Sequence, residues 1–199
     1  MRILFQGDSI TDGNRGRTED PNHIYGHGYV FSIASQLGAI HTNMEFFNRG
    51  NSGDTVADLM QRWIKDAVDL QPDVVSILIG TNDTRRKNFT PERFAMIYRS
   101  LLEELPQTKV ILCEPFRFQG EQSDEEWAQR KTRLLGYQEK IRLIAKETNS
   151  IFVPLQDVFD EACKRAPEKH WVWDGVHPTA AGHYLLTQRW MECTADLWK

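Results

Sequence analysis

Ser9, Asn82, Asp174 and His177 are residues of the types that nucleophilic hydrolysis requires. A serine hydroxyl is a poor nucleophile until a base takes its proton. The base needs an orienting carboxylate, and the oxyanion that forms needs fixed donors. Ser9 stands in Gly7-Asp8-Ser9-Ile10, directly after an apolar run, and Asn82 stands in Gly80-Thr81-Asn82-Asp83, after another. Asp174 and His177 occur together in Trp173-Asp174-Gly175-Val176-His177-Pro178. An Asp three residues ahead of a His on a tight loop can set its carboxylate beside Nδ1, which leaves Nε2 facing Ser9.

The intervening sequence must bring these residues together. Short apolar runs at Arg2 to Phe5, Glu45 to Asn48, Val74 to Ile79, Val110 to Cys113 and Ile151 to Pro154 read as strands. The third is apolar on both faces and belongs in the middle of a parallel sheet. Amphipathic stretches separate them. Gly28 to Leu37 reads as a helix, and Thr55 to Leu70 as another, with Val56, Leu59, Met60, Trp63, Ala67 and Val68 at helical spacing. Thr90-Pro91 opens a helix that runs to about Leu105. Ser123 and Glu126 are spaced as a capping box for a long helix reaching about Glu147, and Thr179 caps the last one. This alternation predicts one α/β domain over residues 1–199, a three-layer α/β/α sandwich around a parallel sheet of about five strands. Ligands of such sheets bind at the carboxyl ends of the strands. Gly7-Asp8-Ser9, Asn48 to Asp54, Gly80 to Asp83 and Glu114 to Gly120 all follow strands and are expected to converge there.

Four of these segments, in order, resemble the sequence blocks of the SGNH (GDSL-like) hydrolases. Gly7-Asp8-Ser9-Ile10 is similar to the block that carries the nucleophile. Asn48-Arg49-Gly50-Asn51-Ser52-Gly53-Asp54 is similar to the block whose functional glycine aligns with Gly53. Gly80-Thr81-Asn82-Asp83 matches the asparagine block, and Asp174-Gly175-Val176-His177-Pro178 the D-x-x-H block. The resemblance implies the flavodoxin-like fold of that family and a serine esterase. Ser9 would be nucleophile, His177 base and Asp174 its orienting acid, and the Ser9 N–H, the Gly53 N–H and the Asn82 amide would bind the oxyanion. It implies no cofactor and no metal. Asn48 to Thr55, Arg62 and Trp63, and Trp173 before Asp174 look in addition like bacterial acetylxylan esterases and related carbohydrate acetylesterases. That implies short-chain, acetyl ester substrates on small molecules or oligosaccharides. Trp173 is then a candidate to stack on a sugar face. Asp8 is a candidate substrate contact, or a residue that holds the turn through backbone N–H groups. The same chemistry on another acyl group, as in a lysophospholipase or thioesterase, is the alternative, and a non-catalytic carbohydrate-binding protein is a further one. No G-x-S-x-G run is present, which sets the chain apart from α/β-hydrolases with a nucleophile elbow.

Composition narrows the partners. A formal net charge of −4 argues against nucleic acid, since phosphate binding wants a basic surface. No apolar run reaches the length of a membrane span, so no membrane partner is expected. Cys113, Cys163 and Cys193 are too widely spaced for a C-x-x-C metal pair or a disulfide framework, and a cytoplasmic setting is the expectation. His23 and His27 flank Gly26, and His183 follows Gly182 near the start of the last helix. All three read as non-catalytic. Arg85-Arg86-Lys87 reads as a solvated loop within reach of a charged substrate. Trp190 and Trp198, read as exposed, are candidates for a subunit contact in a homo-oligomer.

Overall fold

The computed structural model describes residues 1–199. Five parallel strands form one sheet in the order β2-β1-β3-β4-β5: β1 is Arg2–Gly7, β2 Glu45–Asn48, β3 Val74–Leu78, β4 Lys109–Cys113 and β5 Ile151–Val153. Side chains alternate across the sheet, as the pleat requires. Ile3, Phe5, Val74, Leu78, Ile111 and Cys113 face one apolar core, and Leu4, Val75, Ile77 and Leu112 face the other. The central strands β1 and β3 are accordingly buried on both faces.

Two helical layers cover the faces. Helices α3 (Val56–Asp66), α4 (Pro91–Glu103) and α5 (Asp124–Glu147) pack on one side through Leu59, Trp63, Phe94, Tyr98, Tyr137 and Ile141. On the other lie α2 (Tyr29–Ile40), α6 (Gln156–Ala162), α7 (Glu168–Trp171) and α8 (Ala180–Thr194), contributing Ile33, Phe159, Trp171 and Trp190. The result is the three-layer α/β/α sandwich that the alternation predicts. A further short helix, α1 (Ser9–Asp12), leaves the carboxyl end of β1 at once.

Boundaries follow local chemistry. Thr90 Oγ1 accepts from the Arg93 N–H at 3.2 Å and Thr179 Oγ1 from the Gly182 N–H at 3.2 Å, so both threonines cap their helices as read from sequence. Ser123 accepts from the Glu126 N–H at 3.3 Å. The helix expected over Thr55 to Leu70 ends at Asp66, and Val68–Leu70 is a separate 3₁₀ turn. Apolar spacing continues through both, so periodicity alone could not mark the break. No helix is long and apolar enough to cross a membrane.

The reading of Trp190 as an exposed contact residue is overturned. It is fully buried, donates from Nε1 to Ser76 Oγ at 2.9 Å and lies 5.7 Å, centroid to centroid, from the Phe5 ring. The polar Ser76 within an apolar strand supplies the acceptor that a buried indole needs. Trp198, half-buried, stacks on the outer side of Trp190 at 5.7 Å. Trp190→Ala should therefore cost the isolated chain about 3–5 kcal/mol of stability in urea unfolding. A loss within about 0.5 kcal/mol would mark a surface position instead.

Candidate active site

The carboxyl ends of β1, β2 and β3 and the loop before α8 meet at Ser9. Its hydroxyl lies 2.8 Å from His177 Nε2. On the other side of the imidazole, His177 Nδ1 is 2.6 Å from Asp174 Oδ2. Asp174 Oδ1 accepts from the Val176 N–H at 2.9 Å and the His177 N–H at 2.7 Å, so the carboxylate is fixed to its own turn. Burial alone would raise the Asp174 carboxyl. The hydrogen bonds from His177 and Val176 outweigh that and hold it below its usual range. It stays ionised at neutral pH, the state that holds Nδ1–H and stabilises an imidazolium. The Trp173 N–H donates to the His177 carbonyl at 3.1 Å and closes the turn, and the Trp173 ring stacks on the imidazole at 6.2 Å.

Three candidate donors lie on Ser9 and on turns tied to the end of β1 and to Asp8. The Ser9 N–H is in the first turn of α1, where backbone N–H groups have no partner within the helix. The Gly53 N–H donates to no acceptor in the protein. Gly53 has φ +89°, in the left-handed region that favours glycine, and a Cβ there would point into open space. Its requirement is thus conformational rather than steric. Asn82 opens a 3₁₀ turn after β3 and donates from Nδ2 to the Asp54 carbonyl at 3.0 Å. Its other contact, Asp8 Oδ2, is 3.5 Å away, the outer limit of a hydrogen bond.

A polar framework underneath ties these loops to one another. The Asn51 N–H donates to the Gly7 carbonyl at 3.0 Å, joining the β2 loop to the end of β1. Arg62 on α3 reaches Asp54 Oδ2 at 2.6 Å, Gln6 Oε1 at 2.9 Å, the Arg49 carbonyl at 2.8 Å and the Gly7 carbonyl at 3.1 Å. Asp12 Oδ2 accepts from both the N–H and the hydroxyl of Ser52, at 3.2 and 2.8 Å, and so anchors the peptide next to Gly53. Gly50 sits where a Cβ would lie 2.3 Å from the Asp12 nitrogen, which fixes glycine there by close approach. The Phe118 N–H donates to the Gly175 carbonyl at 2.8 Å and brings the β4 loop against the Asp174 turn.

The structure thus brings Ser9, Asp174 and His177 together, and it ties the Gly53 loop to Gly7 and Asn82 to Asp8, next to Ser9 in the chain. Trp173 is 59% exposed next to the imidazole. Asp8 does not fit a substrate contact. It is 1% exposed and accepts from the Ile10 N–H at 3.0 Å, holding the turn that carries Ser9. His183 accepts from the Tyr29 N–H at 3.2 Å through Nδ1, and burial pushes it down to about 4, so it is a neutral structural histidine. Asp12 was not singled out from sequence, and Arg62 was named only through the resemblance to acetylxylan esterases, not as the hub it forms. Asp12 also binds Arg17 and Arg62 also binds Asp66 nearby in the chain, but the contacts that join the site loops, Asp12 with Ser52 and Arg62 with Gln6 and Gly7, span 40 residues or more. Asp83 is fully buried, and its two carboxyl oxygens accept from the Val56 N–H at 3.2 Å.

Comparison with known proteins identifies the family. Residues 5–185 match the model of the GDSL-like lipase/acylhydrolase family, and the chain belongs to that family. An acetylxylan esterase from Geobacillus stearothermophilus is 37% identical over 96% of this chain and 92% of its own. The solved structure of Axe2, an acetylxylan esterase from the same organism, superposes with a TM-score of 0.85 at 34% identity, covering 99% of this chain and 95% of that one. A structure from Parabacteroides merdae ATCC 43184, described as a GDSL-like lipase, gives 0.91 at 39% identity, covering 100% and 96%. The protein is a carboxylic ester hydrolase.

Burial pushes Asp8 up to about 7, against the Ile10 N–H bond and with help from Asp83 and Asp54. Burial likewise lifts Asp83 to about 7. An unfolded Asp loses its proton near 3.9. Between the two values the fold holds a proton that the unfolded chain has released. The stability contributed by protonated Asp8 is therefore full below about pH 4 and lost as pH rises to about 7. Asp8→Asn keeps an acceptor for the turn and cannot ionise. Its Tm should exceed that of the wild type at pH 8, with the gap narrowing toward pH 5. A gap that does not change with pH would show that Asp8 does not titrate in this range.

Proposed function

We propose that the protein removes acetyl groups from carbohydrate hydroxyls by a two-step serine mechanism. The observation that carries the reading is the continuous chain from Ser9 Oγ through the His177 ring to Asp174, with bonds of 2.8 and 2.6 Å. Ser9 attacks the ester carbonyl as His177 Nε2 takes its proton. Asp174 holds the imidazole tautomer and stabilises the cation. The Ser9 N–H, Gly53 N–H and Asn82 amide receive the charge that develops on the carbonyl oxygen. His177 then protonates the departing sugar hydroxyl. Water, activated by the same imidazole, releases acetate from Ser9.

The surroundings of Ser9 support a short acyl group. The loop that carries Gly53 presents Asn51, Ser52 and Gly53, all exposed, with no apolar side chain among them. A long acyl chain gains its affinity from apolar surface, which the Gly53 loop does not offer. The alcohol side is open: the Asp174 and His177 side chains are 28% and 37% exposed, and the Trp173 ring lies against the imidazole. An indole beside an open site is a platform for a sugar ring. The similarity to acetylxylan esterases supports the same substrate class.

Hydrolysis of 4-nitrophenyl acetate, butyrate and octanoate, run alongside an acetylated xylo-oligosaccharide, tests the reading. Wild type should prefer acetate and release it from the sugar. Ser9→Ala should abolish both activities, and Asn82→Ala should lower kcat roughly 10²–10³-fold. Preference for octanoate would move the substrate class to lipids. Full activity in Asn82→Ala would remove that amide from the oxyanion site.

A further inference from the structure

A cavity of about 380 Å³ opens between the loop after β4 and helices α5, α6 and α7, and no residue of the Ser9 site lines it. Its apolar side is made by Phe118 and by Trp127, Leu134 and Leu135 of α5. Its charged groups are of both signs: Arg117 and Lys131, Asp160 and Glu168. None of the four joins an ion pair, although Asp160 accepts from Gln156 Nε2 at 3.0 Å. Arg117 is 3% exposed, and its Nε and Nη1 are buried without partners. A guanidinium presents five donors and no acceptor. Burial, then the fields of Arg130 and Arg85, pull Arg117 down to about 10, with Asp174 opposing, so it remains a cation at neutral pH.

A buried donor without a partner costs free energy until an acceptor reaches it. The mixed charge of the cavity decides what that acceptor can be. An anion would suit Arg117 and Lys131 but would stand against Asp160 and Glu168. A cation would meet the reverse. A sugar hydroxyl both donates and accepts, so one polyol can answer the guanidinium and the ammonium as well as the two carboxylates. The C–H face of a pyranose is apolar, and the Trp127 indole and the Phe118 ring offer surface to match it. The volume is that of a small-ligand site.

We infer that this cavity is a second saccharide site, which takes a neutral sugar unit and is separate from the place where the ester is cleaved. Phe118 connects the two regions: it lines the cavity, and its N–H bonds to the Gly175 carbonyl in the His177 loop at 2.8 Å. An esterase acting on oligosaccharides gains from a second hold on carbohydrate, because binding at one site raises the effective concentration at the other. The inference goes beyond the acetylesterase reading. Its readout is binding at Trp127, not release of acetate, so either can fail without the other.

The test follows the indole and guanidinium Nε–H signals of isotope-labelled wild type by NMR as xylotetraose, which carries no ester, is added to millimolar concentration. Trp127→Phe and Arg117→Gln assign the two signals by their loss. Both signals should shift together and saturate. Lys131→Ala and Asp160→Asn, at exposed positions that spare the core, should each weaken binding read at Trp127 by roughly threefold or more, the worth of a hydrogen bond. The Trp127 shift should persist in Trp173→Ala, which lacks the ring beside His177. Its loss there would put the sugar at the Ser9 site and overturn the second one. Absence of a shift at both Trp127 and Arg117 would overturn the inference, as would unchanged affinity in both Lys131→Ala and Asp160→Asn. A shift caused by glycine, a zwitterion, and not by xylotetraose would also overturn it, by assigning the cavity to another class of ligand.

Discussion

The hydrogen bond between Ser9 Oγ and His177 Nε2 joins residues 168 positions apart, and most of the architecture can be understood as what holds its two ends. A hydrogen bond weakens steeply with small errors in distance and angle. Ser9 therefore has to leave the most rigid part of the molecule, the end of a central strand, on a turn fixed by the Asp8 side chain. His177 has to sit on a loop closed on itself, which the Asp174 carboxylate and the Trp173–His177 backbone bond achieve. The two ends are joined through the core. Phe5, near the end of β1, packs against Trp190 of α8, and Trp190 is pinned to β3 through Ser76. Helix α8 begins directly after the His177 loop, so its packing sets where the imidazole stands.

The same requirement explains the unusual amount of buried polarity beneath the site. Asp8, Asp12, Asp54, Asp83 and Asn82 are all buried, in a region where apolar packing would be more stable. Each has a defined task there. Asp8 shapes the Ser9 turn, Asp12 anchors Ser52, Asp54 binds Arg62, Asp83 caps the start of α3 and Asn82 spans two loops. Arg62 gathers the carbonyls at the end of β1 and in the β2 loop into one network. Functional sites are where a fold departs from the rules that favour stability. The raised carboxyls of Asp8 and Asp83 are the thermodynamic trace of that departure.

Much of the fold was legible because it is written locally. Apolar runs of strand length, helical spacing and capping threonines located all five strands and α2 to α5 and α8, and the strand-end rule brought the site residues to one edge. Resemblance to known sequence blocks supplied the roles. The short helices α6 and α7 were not read, since four to seven residues carry too little periodicity to show a helix. Trp190 was misjudged because an indole near the chain terminus gives no local sign of burial, and its partners Ser76 and Phe5 lie far away in sequence. Asp12 shares that difficulty. Its significance lies in its hold on Ser52, 40 residues away, which no spacing rule records.

The central claim is that the 2.8 Å contact makes Ser9 the activated nucleophile of this esterase. Treatment with a dialkyl phosphoryl fluoride, followed by intact-mass measurement and peptide mapping, addresses it without reference to any natural substrate. The account predicts a single phosphoryl adduct, located on Ser9 in wild type and strongly slowed in His177→Ala. An adduct on another serine, or labelling of Ser9 at the same rate without His177, would contradict it.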